Sequence, residues 1–167
     1  GTYHAVKRLA QAGRRNIAFV NDDETESEQH KLNGYRRAIQ ECGLPERCYR
    51  AERSIEGGQF ATTRILRQDS RTDAIVFTED TTAVGGLHTL LITGKRIPED
   101  VAVIGCNNSV YCTICYPQLS SIDNSLHETG RTAAQQMIRL LNHEPDVEKT
   151  VCLPCRLVLR DTTPPMM

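Results

Sequence analysis

The sequence predicts an α/β domain: a doubly wound parallel sheet with helices on both faces. Two observations carry this. Short runs such as "DAIVF" (73–77) and "VAVIG" (101–105) are apolar on nearly every residue, as strands buried on both faces must be. Between these runs lie segments with helical spacing, so strand and helix alternate along the chain. The chain has 167 residues, of which 39% are hydrophobic, enough for one core and too few for two full domains.

Residues 2–12 place Val6, Leu9 and Ala10 on one helical face, and Gly13 follows as a stop. "NIAFV" (16–20) is a short apolar strand. Ser27 can cap a helix carrying Leu32, Tyr35, Ile39 and Cys42, ended by Gly43 and Pro45. "RCYRA" (47–51) is a weaker strand. A helix from about 57 to 68 is expected to turn Phe60, Ile65 and Leu66 inward, and the strand 73–77 follows. Asp80 opens the next helix, which carries Val84, Leu87, Leu91 and Ile92 and stops at Gly94; Pro98 marks the turn before 101–105. Beyond come an irregular stretch (106–118), a strand "LSSI" (119–122), a helix from about 125 to 141, and a late strand "VCLPCRLVL" (151–159). "RDTTPPMM" (160–167) reads as a frayed tail.

Lys and Arg number 20 against 21 Asp and Glu, a formal net charge of -1, so the chain lacks the cationic surplus that a phosphate backbone demands. By itself it is expected to bind nucleic acid poorly. No run of eighteen apolar residues occurs, and "GTYHAVKRLAQAG" is an amphipathic helix pattern, so a soluble cytoplasmic protein with no membrane partner is expected. Seven cysteines, an odd number set mostly in apolar runs, read as reduced thiols. The chain opens on Gly1 inside a helical pattern, which suggests a piece of a longer protein.

In open parallel sheets, ligands bind beyond the carboxyl ends of the strands, where loops and helix N-termini meet. The strand ends at 21–23, at Arg53 and Ser54, at 78–80 and at Asn107 and Asn108 deliver polar groups to that edge. Gly105 reads as the point where the last of these strands turns. Amide side chains both donate and accept, which suits a small molecule with several hydroxyl or amide groups.

Rival chemistry finds less support. Asp22, Asp23 and Asp80 could hold Mg²⁺ as in phosphoacceptor receiver domains, but Cys106 and Asn107 stand where such domains need a lysine. "CTIC" (112–115) and "CLPC" (152–155) supply the four thiols of a structural zinc site. Neither pair has the glycine-bearing knuckle, and neither sits at a helix N-terminus that would lower a thiol pKa. No metal and no cofactor is expected. There is no G-x-S-x-G elbow, and His4, His30, His88, His127 and His143 lie in helical or loop segments, so no catalytic residue is assigned and no enzyme is expected. An exported solute-binding lobe would share the architecture and stands as the alternative, although such proteins seldom carry unpaired cysteines.

Several stretches carry a resemblance: "AQAGRRNIAFV", "KLNGYRRAIQECGL", "DAIVFTEDTTAVGGLHTLLITGKRIPEDVAVIGCNNS", "YPQLSSIDNS" and "LPCRLVLRDTT". Over nearly the whole chain they are similar to the effector-binding region of the lactose-repressor and galactose-repressor (LacI/GalR) family of bacterial transcription regulators. The resemblance implies a periplasmic-binding-protein-like, flavodoxin-like lobe, one of two joined by crossing segments. A small-molecule effector lies in the cleft between the lobes, and a separate helix-turn-helix domain reads DNA. Residues 1–163 then form one effector-binding region. Of these, 14–122 and 151–160 make the second lobe, 123–145 is a crossing helix belonging to a first lobe outside this chain, and 161–167 is a tail. The apolar face of Met137, Ile138 and Leu141 would lack its native cover.

Carried over by position, the family's effector contacts fall on Ser27, Lys31, Arg53, Glu79, Asn107 and Asn124. Lys31 stands where the family has an arginine, and an ammonium does not reproduce that bidentate fork. Glu79 stands where asparagine is common, Asn107 where aspartate is common, and Arg53 where an aromatic often stacks on the effector. Arg53 and Lys31 would favour a carboxylate or phosphate, so an acidic or amide-bearing metabolite competes with a sugar as the expected effector. The family's homodimer implies a surface at Thr81, Val84, Gly85, His88 and Cys112. The implied mechanism is a population shift, in which the effector favours one closure of the lobes and so respaces DNA-reading heads across the dimer.

Overall fold

The apolar runs assemble into a single six-stranded sheet. The computed structural model describes residues 1–22 and 25–165. In chain order the elements are α1 (Thr2–Gln11), β1 (Ile17–Asn21), α2 (Glu26–Cys42), β2 (Cys48–Arg50), α3 (Ile55–Gln68), β3 (Ala74–Phe77), α4 (Asp80–Ile92), β4 (Ala102–Cys106), α5 (Tyr111–Ile114), β5 (Ser120–Asp123), α6 (Leu126–Leu141) and β6 (Arg156–Val158). The strand order is β2-β1-β3-β4-β5-β6. The first five strands are parallel, with Phe19 beside Val76 and Val76 beside Ile104, and β6 runs antiparallel along β5. This is the doubly wound α/β class that the sequence predicts.

Successive strand residues point to opposite faces, so each strand feeds two cores. On one face Phe19, Val76 and Ile104 pack under α1 and α2 through Val6, Leu9, Tyr35 and Ile39. On the other, Val20, Ile75, Phe77 and Val103 pack against Ala61, Ile65 and Leu90 of α3 and α4. The fully buried Tyr35 stacks on Phe19, its hydroxyl donating to the Ile17 carbonyl at 3.0 Å and accepting from the Arg47 amide at 2.8 Å. Helices α3 and α4 approach so closely that a Cβ at Gly58 would collide with the Thr82 carbonyl, and one at Gly85 with the Ile55 carbonyl.

That close approach corrects the expected orientation of α3. Its buried face is Gly58, Ala61, Thr62 and Ile65, while Phe60 is 70% exposed and Leu66 only half-buried. The contact selects small residues, so the bulky Phe60 is turned away. Likewise Leu91 and Ile92 of α4 are exposed, while Leu87 is buried as expected and Ala83, Gly86 and Leu90 are buried with it.

Helix α2 begins earlier than expected. Thr25, not Ser27, is its cap, with its hydroxyl accepting from the Glu28 amide. Thr25 and Glu28 have the spacing of a capping box, so the signal is present in the sequence. Gly105 does not turn the chain, because β4 continues to Cys106. The turn is made by Asn107 (φ 96) and Asn108 (φ 49), in the left-handed region that asparagine tolerates. Glycine is needed at 105 because a Cβ would run into the Asp80 carboxylate and Leu119.

The expected late strand shrinks to Arg156–Val158, and residues 151–155 are irregular. Conversely, the expected tail is part of the fold. Thr162 is fully buried: its hydroxyl donates to the Val103 carbonyl at 2.7 Å and accepts from the Ser120 amide at 2.9 Å, while its carbonyl accepts from the Val103 amide. Arg160 donates to the Leu119 carbonyl and the Asn108 side chain. Residues 160–163 therefore extend hydrogen bonding beyond β6. Thr162→Val, which keeps the shape but leaves a buried carbonyl and amide unpaired, is expected to destabilise the fold by about 1–3 kcal/mol. Urea denaturation followed by circular dichroism measures this, and an unchanged midpoint would contradict the assigned role.

Candidate functional site

The strand order places β1 between β2 and β3, the point at which chain direction through the sheet reverses and a crevice opens at the carboxyl edge. A cavity of about 900 Å³ lies there. Its walls come from the start of α2 (Thr25 to Lys31), from Arg53 after β2, from Glu79 after β3, from Cys106 and Asn107 at the end of β4, and from Ile122 and Asn124 at the end of β5. All six positions marked by the resemblance, Ser27, Lys31, Arg53, Glu79, Asn107 and Asn124, face this one cavity. Asp23, which the receiver-like alternative also used, lies outside the described residues.

A hydrogen-bonded chain runs across the cavity floor. Asn124 Nδ2 donates to Asn107 Oδ1 at 2.9 Å, and Asn107 Nδ2 donates to Glu79 Oε2 at 2.7 Å. Lys31 Nζ donates to Glu28 Oε1 at 2.6 Å and to the Thr78 carbonyl at 3.1 Å. Arg53 closes its fork on Asp22, with Nε at 2.8 Å and Nη2 at 3.3 Å. The turn that carries Asn107 is held from below, where the Asn108 amide donates to Ser121 Oγ at 3.0 Å.

Asp80 supports this floor without facing it. It is 2% exposed, and its two oxygens accept from the Ser109 amide and from Ser121 Oγ, each at 2.7 Å. Asp22 is engaged with Arg53. Asp22 and Asp80, two of the carboxylates considered for Mg²⁺, are thus committed to internal bonds. Of the four thiols weighed for zinc, Cys112 is buried, Cys115 is half-buried and Cys152 and Cys155 are exposed. Burial pushes the Cys112 thiol up to about 12, which keeps it protonated.

Glu28 was not legible as a site residue. It lines the cavity, is 1% exposed, and pairs with Lys31. Its spacing three residues before Lys31 on one helix is the signal that could have found it. Cys106 also lines the cavity, with its thiol pushed up to about 11 by burial. Of the positions considered for a dimer surface, Gly85 and Cys112 are buried within the chain itself. Thr81 and Val84 are half-buried, and His88 is exposed, its Nδ1 3.1 Å from Gln59 Nε2.

A model of the periplasmic binding protein-like domain matches residues 6–163. The chain belongs to that family. It is 31% identical over 166 residues to catabolite control protein A of Priestia megaterium, covering 96% of this chain and 50% of that protein. Among solved structures, the transcriptional regulator CelR in complex with cellobiose superposes with a TM-score of 0.91 at 25% identity, covering 97% of this chain and 51% of that one. A LacI-family regulator from Arthrobacter sp. FB24 in complex with lactose superposes with a TM-score of 0.85 at 30% identity, covering 98% and 65%. The chain is thus related to the effector-binding region of LacI-family regulators, and it spans about half the length of the curated relatives it matches.

Burial raises the Glu79 pKa, and the opposing pull of Lys31, Arg53 and the Asn107 hydrogen bond does not cancel it. Burial would lower the Lys31 pKa, but the Glu28 hydrogen bond and nearby acidic groups outweigh it and leave the ammonium raised. A carboxyl group with a raised folded pKa binds protons more tightly when folded. Its contribution to stability is therefore greatest at acid pH and declines as pH rises from the ordinary glutamate range through the raised value. Glu79→Gln should remove this decline. Urea midpoints of the two proteins from pH 4 to pH 7 test it, with the variant gaining on the parent as pH rises.

Proposed function

We propose that this domain is half of an effector-sensing cleft in a transcription regulator: it binds a small polar metabolite and couples that binding to lobe closure. The observation that supports it most is the gathering of side chains from the ends of four parallel strands, and from the start of α2, around one cavity. The cavity size falls in the range of small-molecule sites. Its polar lining, with donors and acceptors in fixed positions, suits recognition of hydroxyl or amide groups. The alternative of an exported solute-binding lobe has the same fold, but the relatives named above are regulators.

The effector would act by binding one closure of the two lobes more tightly than another, since a ligand shifts a conformational equilibrium only by its differential affinity. The other lobe and a DNA-reading domain would lie in the remainder of the protein. Helix α6 belongs to that first lobe in this reading. None of its residues is buried, yet Met137, Ile138, Leu140 and Leu141 make an apolar face more than half exposed. A homodimer would use the exposed side of α4, with Thr81, Val84 and His88 at the contact.

Two measurements on the full-length protein test these assignments. Calorimetry against a metabolite panel is expected to give saturable heat, and Asn107→Ala or Asn124→Ala should weaken that binding by about tenfold or more, equal to about 1.4 kcal/mol. Unchanged affinity in both variants would remove the cavity from the mechanism. Val84→Asp should shift the sedimentation coefficient from dimer to monomer, and a dimer that persists would place the contact elsewhere.

A further inference from the structure

The cavity wall has its charges arranged against an anionic ligand. Among the described residues Glu26, Glu28 and Glu79 line it together with Lys31, Arg53 and His30, and His30 lies beside Glu26. Both cations already have internal partners, Lys31 in Glu28 and the Thr78 carbonyl, Arg53 in Asp22. An anion would have to compete with these internal partners for either cation. The remaining carboxylate, Glu79, has no cation in hydrogen-bond contact. Its Oε1 lies 4.0 Å from Lys31 Nζ and 4.0 Å from Arg53 Nη1, and Asn107 occupies only Oε2.

The unused hydrogen-bonding capacity points the same way. Glu28 is 1% exposed, and its Oε2 is buried without a hydrogen-bond partner among the described residues. A buried carboxylate oxygen left unpaired is costly and calls for a donor. Helix N-termini, which ordinarily attract anions, are compensated by the chain's own acids, with Glu26 and Glu28 in the first turn of α2, Asp80 in α4 and Glu128 in α6. What the wall shows is a buried acceptor, Glu28 Oε2, without a donor of its own among the described residues.

We propose that the group recognised here is a protonated primary amine on a small hydroxylated molecule, with the ammonium seated against Glu79 and the hydroxyls against Asn107 and Asn124. This rests on the effector-site reading above. An ammonium brings three donors and no acceptor, so it matches a wall of acceptors, and its bond to a half-buried carboxylate is charge-assisted. A phosphate or carboxylate in the same place would bring further negative charge and acceptors without partners.

The test uses the full-length protein and three hexose probes matched in size: glucose, glucosamine and glucose 6-phosphate. Their affinities are measured by calorimetry at pH 7 and constant ionic strength. Glucosamine is expected to bind at least about tenfold tighter than glucose, and glucose 6-phosphate more weakly than either. In Glu79→Gln the preference for glucosamine over glucose should shrink to within about threefold. Equal binding of the three, tighter binding of the phosphate, or a preference that survives Glu79→Gln overturns the amine assignment. If Asn107→Ala abolishes that binding, the effector site itself stands. Silence from all three probes also overturns the amine assignment. If a panel of neutral sugars and acids is silent as well, the effector-site reading falls with it.

Discussion

The arrangement of the site depends on one buried carboxylate. Asp80 opens α4 and reaches under the sheet edge to accept from the Ser109 amide and the Ser121 hydroxyl. These two bonds tie the start of a helix to the loop after β4 and to β5. Glu79 precedes this anchor by one residue, and Asn107 lies two residues before the bonded Ser109, so the anchor brings the Asn107 amide within 2.7 Å of Glu79. Glycine at 105 is the condition for it, since any side chain there would displace the carboxylate. A buried, fully bonded carboxylate of this kind holds one geometry, because shifting any partner leaves an unpaired charge in low dielectric.

Around that fixed point the site is pre-neutralised. Lys31 and Arg53 read in the sequence as two cations available to a ligand, but each is held by an internal acid. Glu79 sits in a partly dry position 4.0 Å from both cations, and burial holds its pKa above the ordinary glutamate value. The cavity thereby combines rigid amides with a half-buried carboxylate that has no cation at hydrogen-bond distance, a combination that discriminates among small polar molecules through charge as much as through shape.

The rest of the domain keeps this rim in place. Small residues let α3 and α4 pack nearly backbone to backbone, and α4 carries Asp80 at its first position. From the other side, Arg160 donates to the Asn108 side chain at 2.7 Å, so the segment after β6 braces the turn that presents Asn107. Apolar α6 residues remain exposed at the edge of this framework.

What the sequence by itself determined is the periodic part: the α/β class, the position of the first five strands to within a residue or two, and the edge at which polar groups meet. These follow from patterns of apolar residues a few positions apart, and both helix and strand express such patterns locally. Even the Thr25 cap and the Glu28 to Lys31 pair are encoded as short spacings. The tertiary structure alone decided which charges are available and which faces are buried. Arg53 meets Asp22 across 31 positions, and Thr162 meets Val103 across 59. Phe60 faces outward because α4 offers its helix only a flat, glycine-lined surface. Contacts of that range depend on where the chain returns in space, and no local pattern of hydrophobicity encodes them.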